Sequence, residues 1–146
     1  MAKIGLVVEG GGMKCAYGAG ILDRFLDDNI EFDYIIGVSA GSANAASFLA
    51  KQRGRNKRFY TEYLDDPEYL GIKNYIENGQ LFGLQYIYGT LSNADGRDPL
   101  DYDAIRANPA DFEVVATDAW TGRPVYFSKD QLAQDDYSII MASSAL

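Results

Sequence analysis

The run Phe32-Asp33-Tyr34-Ile35-Ile36-Gly37-Val38-Ser39-Ala40-Gly41-Ser42-Ala43-Asn44-Ala45-Ala46-Ser47-Phe48-Leu49-Ala50 decides how this chain folds. Its first part is aromatic and β-branched, which reads as a buried strand. Its last part is a run of small residues compatible with a helix. Between them stands Gly37-Val38-Ser39-Ala40-Gly41, a G-x-S-x-G pattern at a sharp strand-to-helix turn. Gly37 and Gly41 have a steric reason, because neighbouring backbone must pass close to the serine without a Cβ in the way. A helix starting here points its free N–H groups and the positive end of its dipole at the Ser39 oxygen. The pattern is that of a nucleophile elbow, and the alternative is an ordinary glycine-rich turn.

Composition narrows the chemistry. The chain has 146 residues and no histidine, so a Ser-His-Asp triad is excluded. If Ser39 reacts, a carboxylate or a lysine must take its proton.

A second glycine cluster lies upstream. Ile4-Gly5-Leu6-Val7-Val8 suits the first strand of a buried sheet. It runs into Glu9-Gly10-Gly11-Gly12-Met13-Lys14-Cys15, and a helix follows with Leu22, Phe25 and Leu26 on one face. Three glycines between a strand and a helix expose backbone N–H groups that favour a negative charge. One reading is a dinucleotide-binding turn, since Gly10, Gly12 and position 15 have G-x-G-x-x-G spacing. The other is an oxyanion hole for an intermediate formed at Ser39. The nucleotide reading is the weaker, because Cys15 replaces the third glycine and the next strand ends in the serine turn instead of an acidic residue. In a parallel sheet both loops lie at the carboxyl ends of their strands, where such folds place their sites.

Together these motifs resemble the patatin-like phospholipases, especially their bacterial members. Family members have an acidic residue, three glycines, a hydrophobic residue, a basic residue and a glycine, then G-x-S-x-G on the next strand. Glu9, Gly10, Gly11, Gly12, Met13 and Lys14 match, as do Gly37, Ser39 and Gly41. Thr117-Asp118 with Thr121-Gly122 resembles the family's T-D-x-x-T-G stretch. Ala142-Ser143-Ser144-Ala145-Leu146 resembles the A-S-x-A stretch that opens a later helix. The resemblance implies an α/β, layered, mainly parallel sheet flanked by helices in three layers, as one domain over 1–146. It implies a serine lipid acyl hydrolase working through a Ser-Asp dyad. Ser39 would be the nucleophile, the N–H groups of Gly11, Gly12 and Met13 the oxyanion donors, and Lys14 the basic neighbour of that hole. Cys15 departs from the family's glycine, so the loop is either narrowed there or tolerates a small thiol. The family's aspartate lies downstream of the A-S-x-A stretch, so the chain is read as the N-terminal part of the domain, ending before it. Asp95-Gly96 lies in the wrong place for that base, and the family position of Asp118 looks structural. The alternative function is a catalytically incomplete fragment or acyl-binding module of the same fold. An uncovered sheet edge that associates is a further expectation of that reading.

The rest of the sequence bounds the context. A hydrophobic content of 47% and a charged content of 23% suit one globular domain. One cysteine allows no internal disulfide, and neither a leader peptide nor a membrane span is read, which suggests a cytoplasmic protein. Net charge of −8 argues against nucleic acid. The expected partner is a lipid or acyl-ester substrate, and no metal or organic cofactor is implied. Residues 51–58, Lys-Gln-Arg-Gly-Arg-Asn-Lys-Arg, read as a solvated helix end and turn, or as a peripheral contact for anionic lipid head groups. A helix is expected over Arg58–Leu64, and another from Pro99. The aromatic run 80–91 reads as core packing, or as a lid or acyl-chain wall. Strands are expected over 4–9, 33–38, 112–118 and 124–127, with helices over 14–28 and 40–52.

Overall fold

A computed structural model describes residues 3–145. Strand β1 (Gly5–Val8) leads through a 3-10 turn (Gly12–Cys15) into helix α1 (Ala16–Asp27). Strand β2 (Tyr34–Val38) leads directly into helix α2 (Ala40–Leu49). Short helices α3 (Arg55–Thr61), α4 (Ile72–Asn78) and α5 (Leu84–Tyr86) follow, and α5 runs on into a π-helical turn (Ile87–Leu91). Helix α6 (Tyr102–Ala107), strands β3 (Asp111–Thr117) and β4 (Pro124–Ser128), and helix α7 (Ser138–Ser144) complete the order.

The sheet order is β1-β2-β3-β4. The first three strands are parallel, and β4 returns antiparallel to β3 as a hairpin. This is a mixed four-stranded sheet flanked by helices, consistent with a three-layer α/β fold. Its two faces are covered unequally. Ile35, Gly37, Phe112 and Val114 are buried, whereas Tyr34, Ile36, Glu113 and Val115, which alternate with them, are half-buried. The period of two along a strand makes those four the opposite face. Among the described residues β1 is paired on one side only.

The structure departs from the sequence-based expectations in several respects. The third helix begins at Arg55, not Arg58, because Gly54 takes a left-handed φ of 78° and starts it early. The A-S-x-A stretch closes helix α7 rather than opening a helix, with Ala145 extended at φ −68°, ψ 137°. Leu146, its last residue, lies outside the described residues. The run 80–91 does two jobs: Leu91 sits in the core, while Phe82, Leu84, Ile87 and Tyr88 line a cavity.

The basic run is not simply solvated. Arg53 pairs with Asp27 at 2.6 Å, Lys51 with Glu31 at 3.1 Å and Arg58 with Asp98 at 2.6 Å. Arg55 is 4% exposed. Its guanidinium donates to the Ser47 and Ser92 hydroxyls and to the Asp98 carbonyl, and stacks on Phe59 at 4.5 Å.

Candidate active site

Ser39 is the junction residue between β2 and α2. Its φ is 54° and its ψ −134°, a backbone conformation that non-glycine residues rarely adopt. Such a residue costs on the order of 1–3 kcal/mol and persists only where its surroundings over-determine it. Here both of its peptide groups are pinned. Its N–H donates to the Ser143 hydroxyl at 2.7 Å, and that hydroxyl donates to the Val115 carbonyl at 2.5 Å. Its carbonyl accepts from the Ser42 N–H at 2.9 Å and the Ser42 hydroxyl at 2.6 Å. Serine is a favoured N-cap, yet its hydroxyl makes no capping bond to α2. Among the described residues the side chain is left uncommitted.

The glycines around it answer to backbone contacts. A Cβ on Gly41 would lie 2.3 Å from the carbonyl oxygens of both Val8 and Glu9. A Cβ on Gly37 would lie 2.5 Å from the Ser42 Cα. A Cβ on Gly10 would lie 2.8 Å from the Ser39 Cβ. The glycine loop therefore abuts the elbow, which gives Gly10 a reason for being glycine other than room for a pyrophosphate.

Gly11, Gly12, Met13 and Ser39 line one cavity of about 380 Å³, within the range of small-molecule sites. Gly11 has φ 155° and Gly12 φ 53°. Among the described residues the N–H groups of Gly11, Gly12 and Met13 find no acceptor. The rest of the wall is largely apolar and aromatic, with Ala43, Phe59, Phe82, Leu84, Ile87, Leu100 and Ile140, and with Tyr60, Tyr69 and Tyr88 between them. Burial pushes the phenols of Tyr60, Tyr69 and Tyr88 above their ordinary range, so they are neutral.

Not every expected residue joins this group. Lys14 is exposed and borders a separate groove beside β1 with Glu9 and Gly10. Cys15 is buried, and its thiol points at the Glu9 carbonyl at 3.5 Å, closing the glycine loop from inside. Gly11 meets that sulfur at an ordinary contact distance, 3.5 Å from a built Cβ, so the thiol is tolerated without narrowing the loop. Burial, then the Glu9 charge, pushes the Cys15 thiol up, which makes it a packing group and not a thiolate.

No Asp or Glu lines the Ser39 cavity among the described residues. Asp118 is occupied elsewhere. Its Oδ1 accepts from the N–H groups of Trp120 and Thr121 and from the Thr121 hydroxyl, at 3.0, 2.7 and 2.9 Å. Those bonds, led by the Thr121 N–H, hold its carboxyl below the usual range and brace the β3–β4 turn. Asp95 is exposed.

Two residues carry more than the motifs announced. Ser143 fixes the elbow N–H, although the A-S-x-A stretch gave it no role. Asn44 is 2% exposed on α2. It donates to the Cys15 carbonyl at 3.1 Å and accepts from the Tyr60 hydroxyl at 3.1 Å, clamping the glycine loop to the elbow helix. A polar residue amid Ser42-Ala43-Asn44-Ala45 on a buried helix was the available signal.

The uncharacterized protein YjjU of Escherichia coli (strain K12) is 31% identical over 86 residues, which cover 58% of this chain and 24% of that protein. The chain thus spans about a quarter of the length of that curated relative. The sequence model of the patatin-like phospholipase family matches residues 6–146, from the first strand through the glycine loop, the serine elbow and the A-S-x-A stretch. The chain belongs to the patatin-like phospholipase family.

Proposed function

We propose that this protein is a serine hydrolase of lipid acyl esters, with Ser39 as nucleophile. One observation carries the reading. A serine in a strained, doubly pinned turn shares an apolar cavity with three glycine-loop N–H groups that have no other acceptor among the described residues. The acyl chain lies along the aromatic and aliphatic wall. The Ser39 oxygen attacks the ester carbonyl while its proton passes to a carboxylate. The N–H groups of Gly11, Gly12 and Met13, with the N-terminus of α2, hold the oxyanion. Collapse expels the alcohol, and water then releases the acid. The base is an aspartate in this proposal because the family resemblance implies a Ser-Asp dyad; no Asp or Glu among the described residues lines the cavity.

A second reading is supported by the lack of any carboxylate among the described residues lining the cavity: an acyl-binding module of the same fold. Covalent labelling separates the two. A fluorophosphonate is expected to form one adduct, located by peptide mass spectrometry on Ser39 and absent from Ser39→Ala. An adduct that persists in Ser39→Ala, or sits on Ser42, Ser143 or Ser144, refutes the assignment. No adduct at all leaves the binding module.

The oxyanion role has its own test. A Cβ on Gly12 meets nothing within 4 Å, but φ is 53° there. Gly12→Ala therefore strains the backbone by about 1–2 kcal/mol without a clash and turns the N–H groups aside. Turnover, or the labelling rate, is expected to fall ~10²–10³-fold while the chain stays folded by circular dichroism. An unchanged rate counts against the hole.

A further inference from the structure

Residues 69–83 form a strap with α4 at its tip. Its two legs are tied together: Leu70 bridges to Phe82, Gly71 N–H donates to Leu81 at 3.1 Å, and Gly83 N–H donates to Tyr69 at 2.9 Å. Tyr69 and Phe82, one on each leg, wall the Ser39 cavity. Asn74 turns inward and donates to the carbonyls of Pro67 and Glu68 at 3.2 and 3.0 Å, which fixes the face that α4 presents outward. That face carries Ile72, Tyr75 and Ile76 at i, i+3 and i+4 spacing. Their exposures are 73%, 58% and 77%, and Leu81 beside them is 52% exposed. Four large apolar side chains stand in water on one short segment, and contiguous exposed apolar surface marks a contact site.

We propose that α4 and Leu81 dock on a zwitterionic lipid surface beside the mouth of the Ser39 cavity. The inference rests on the lipid-hydrolase reading of that site. Two observations choose the partner. The patch is continuous with the cavity through the legs of the strap, so seating it on lipid brings the cavity wall to the substrate's own phase. The charges disfavour an anionic surface. The segment from Asp65 to Gly83 sets Asp65, Asp66, Glu68 and Glu77 against Lys73, on a chain of net charge −8. In the basic run, Lys51, Arg53, Arg55 and Arg58 already face carboxylates. Attachment is then by apolar insertion, with Tyr75 at the head-group level, and is insensitive to salt.

Flotation of the full chain with phosphatidylcholine vesicles tests this. Removing an exposed isoleucine side chain from the lipid interface costs on the order of tenfold in partitioning. Ile72→Ser/Ile76→Ser is expected to lose roughly a hundredfold while labelling of Ser39 by a soluble probe is unchanged. Arg53→Gln/Lys57→Gln is expected to float like wild type, in low and high salt. The proposal is overturned if wild type does not float, if the isoleucine variant floats equally, or if binding needs anionic lipid and fades with salt. It is also overturned if sedimentation shows a dimer that the isoleucine variant dissolves, since a second copy is then the occupant. In the wild type, absent flotation with intact labelling removes this inference alone, and intact flotation without labelling removes the hydrolase reading instead.

Discussion

Asp98→Ala is expected to lower unfolding stability by about 3–5 kcal/mol, the cost of leaving a buried charge without its partner. The carboxylate is 5% exposed and gathers three groups. Arg58 donates to both of its oxygens at 2.6 and 2.9 Å, the Tyr63 hydroxyl donates at 3.0 Å, and Arg55 Nε lies 3.5 Å away as an ion pair without an aligned hydrogen bond. Burial pulls the Arg55 guanidinium down to about 10, so it remains cationic at neutral pH, and without Asp98 its charge is buried and unpaired. Domain stabilities are ~5–15 kcal/mol, so the loss is a large share of the total. Urea unfolding at neutral pH measures it. A double variant, Asp98→Ala/Arg55→Met, is expected to recover part of the loss, because it removes the stranded charge as well. A loss below about 1 kcal/mol in Asp98→Ala would show that water reaches the cluster and screens it. The pH dependence has a definite sign. Burial raises the Asp98 carboxyl, but the Arg58 hydrogen bonds, the Arg55 charge and the Tyr63 hydroxyl outweigh it and hold the group below its ordinary range. Its stabilising share is therefore present above the unfolded value of about 3.9 and is lost as pH falls through the depressed folded value.

Gly41→Ala is expected to be nearly as damaging, by a steric route. Its added Cβ would stand 2.3 Å from two carbonyl oxygens at the end of β1, a separation that real Cβ atoms essentially never show. Both obstacles are backbone, so no side chain can swing aside. Helix α2 must lift from β1, at an estimated cost above ~3 kcal/mol, the upper end of overpacking penalties. Because Ser39 opens α2, the same shift moves the serine proposed to react, and a displacement of about 1 Å can cost ~10²-fold in rate. Thermal unfolding and the rate of Ser39 labelling check both halves. Wild-type values for both would mean that α2 and β1 sit further apart than described. Gly12→Ala, whose Cβ meets open space, is the control for added bulk in the unfolding measurement alone, since its labelling rate is expected to fall through the glycine loop.

Those contrasts show what could be read from sequence. The elbow was legible because strand, turn and helix there are local: β-branched residues, two glycines without room for a side chain, then small residues on a buried helix. The sheet followed from the same local patterns. The basic run reads as solvated, which holds for Lys51, Arg53 and Lys57, but the packing of Arg55 and Arg58 against Asp98 was not legible because that partner is distant. Arg58 meets Asp98 40 positions on, and no window around residues 51–58 contains that carboxylate. Ser143 was quoted as part of a motif, but its role is a hydrogen bond to a residue 104 positions earlier. The exposed face of α4 went unnoticed because three apolar residues at helical spacing look the same whether a helix buries them or presents them.

The bond between Ser39 and Ser143 also sets an order of events in folding. It closes a loop of 104 residues, and the β2–β3 pairing that positions Val115 for the same relay is non-local too. Contacts of such separation form late, after the entropy of closing the chain has been met. β2 and α2 can form from neighbouring residues, but the strained turn between them gains its second anchor only when α7 arrives. On the proposed reading of Ser39, its reactivity is expected to appear late in refolding, once α7 has docked.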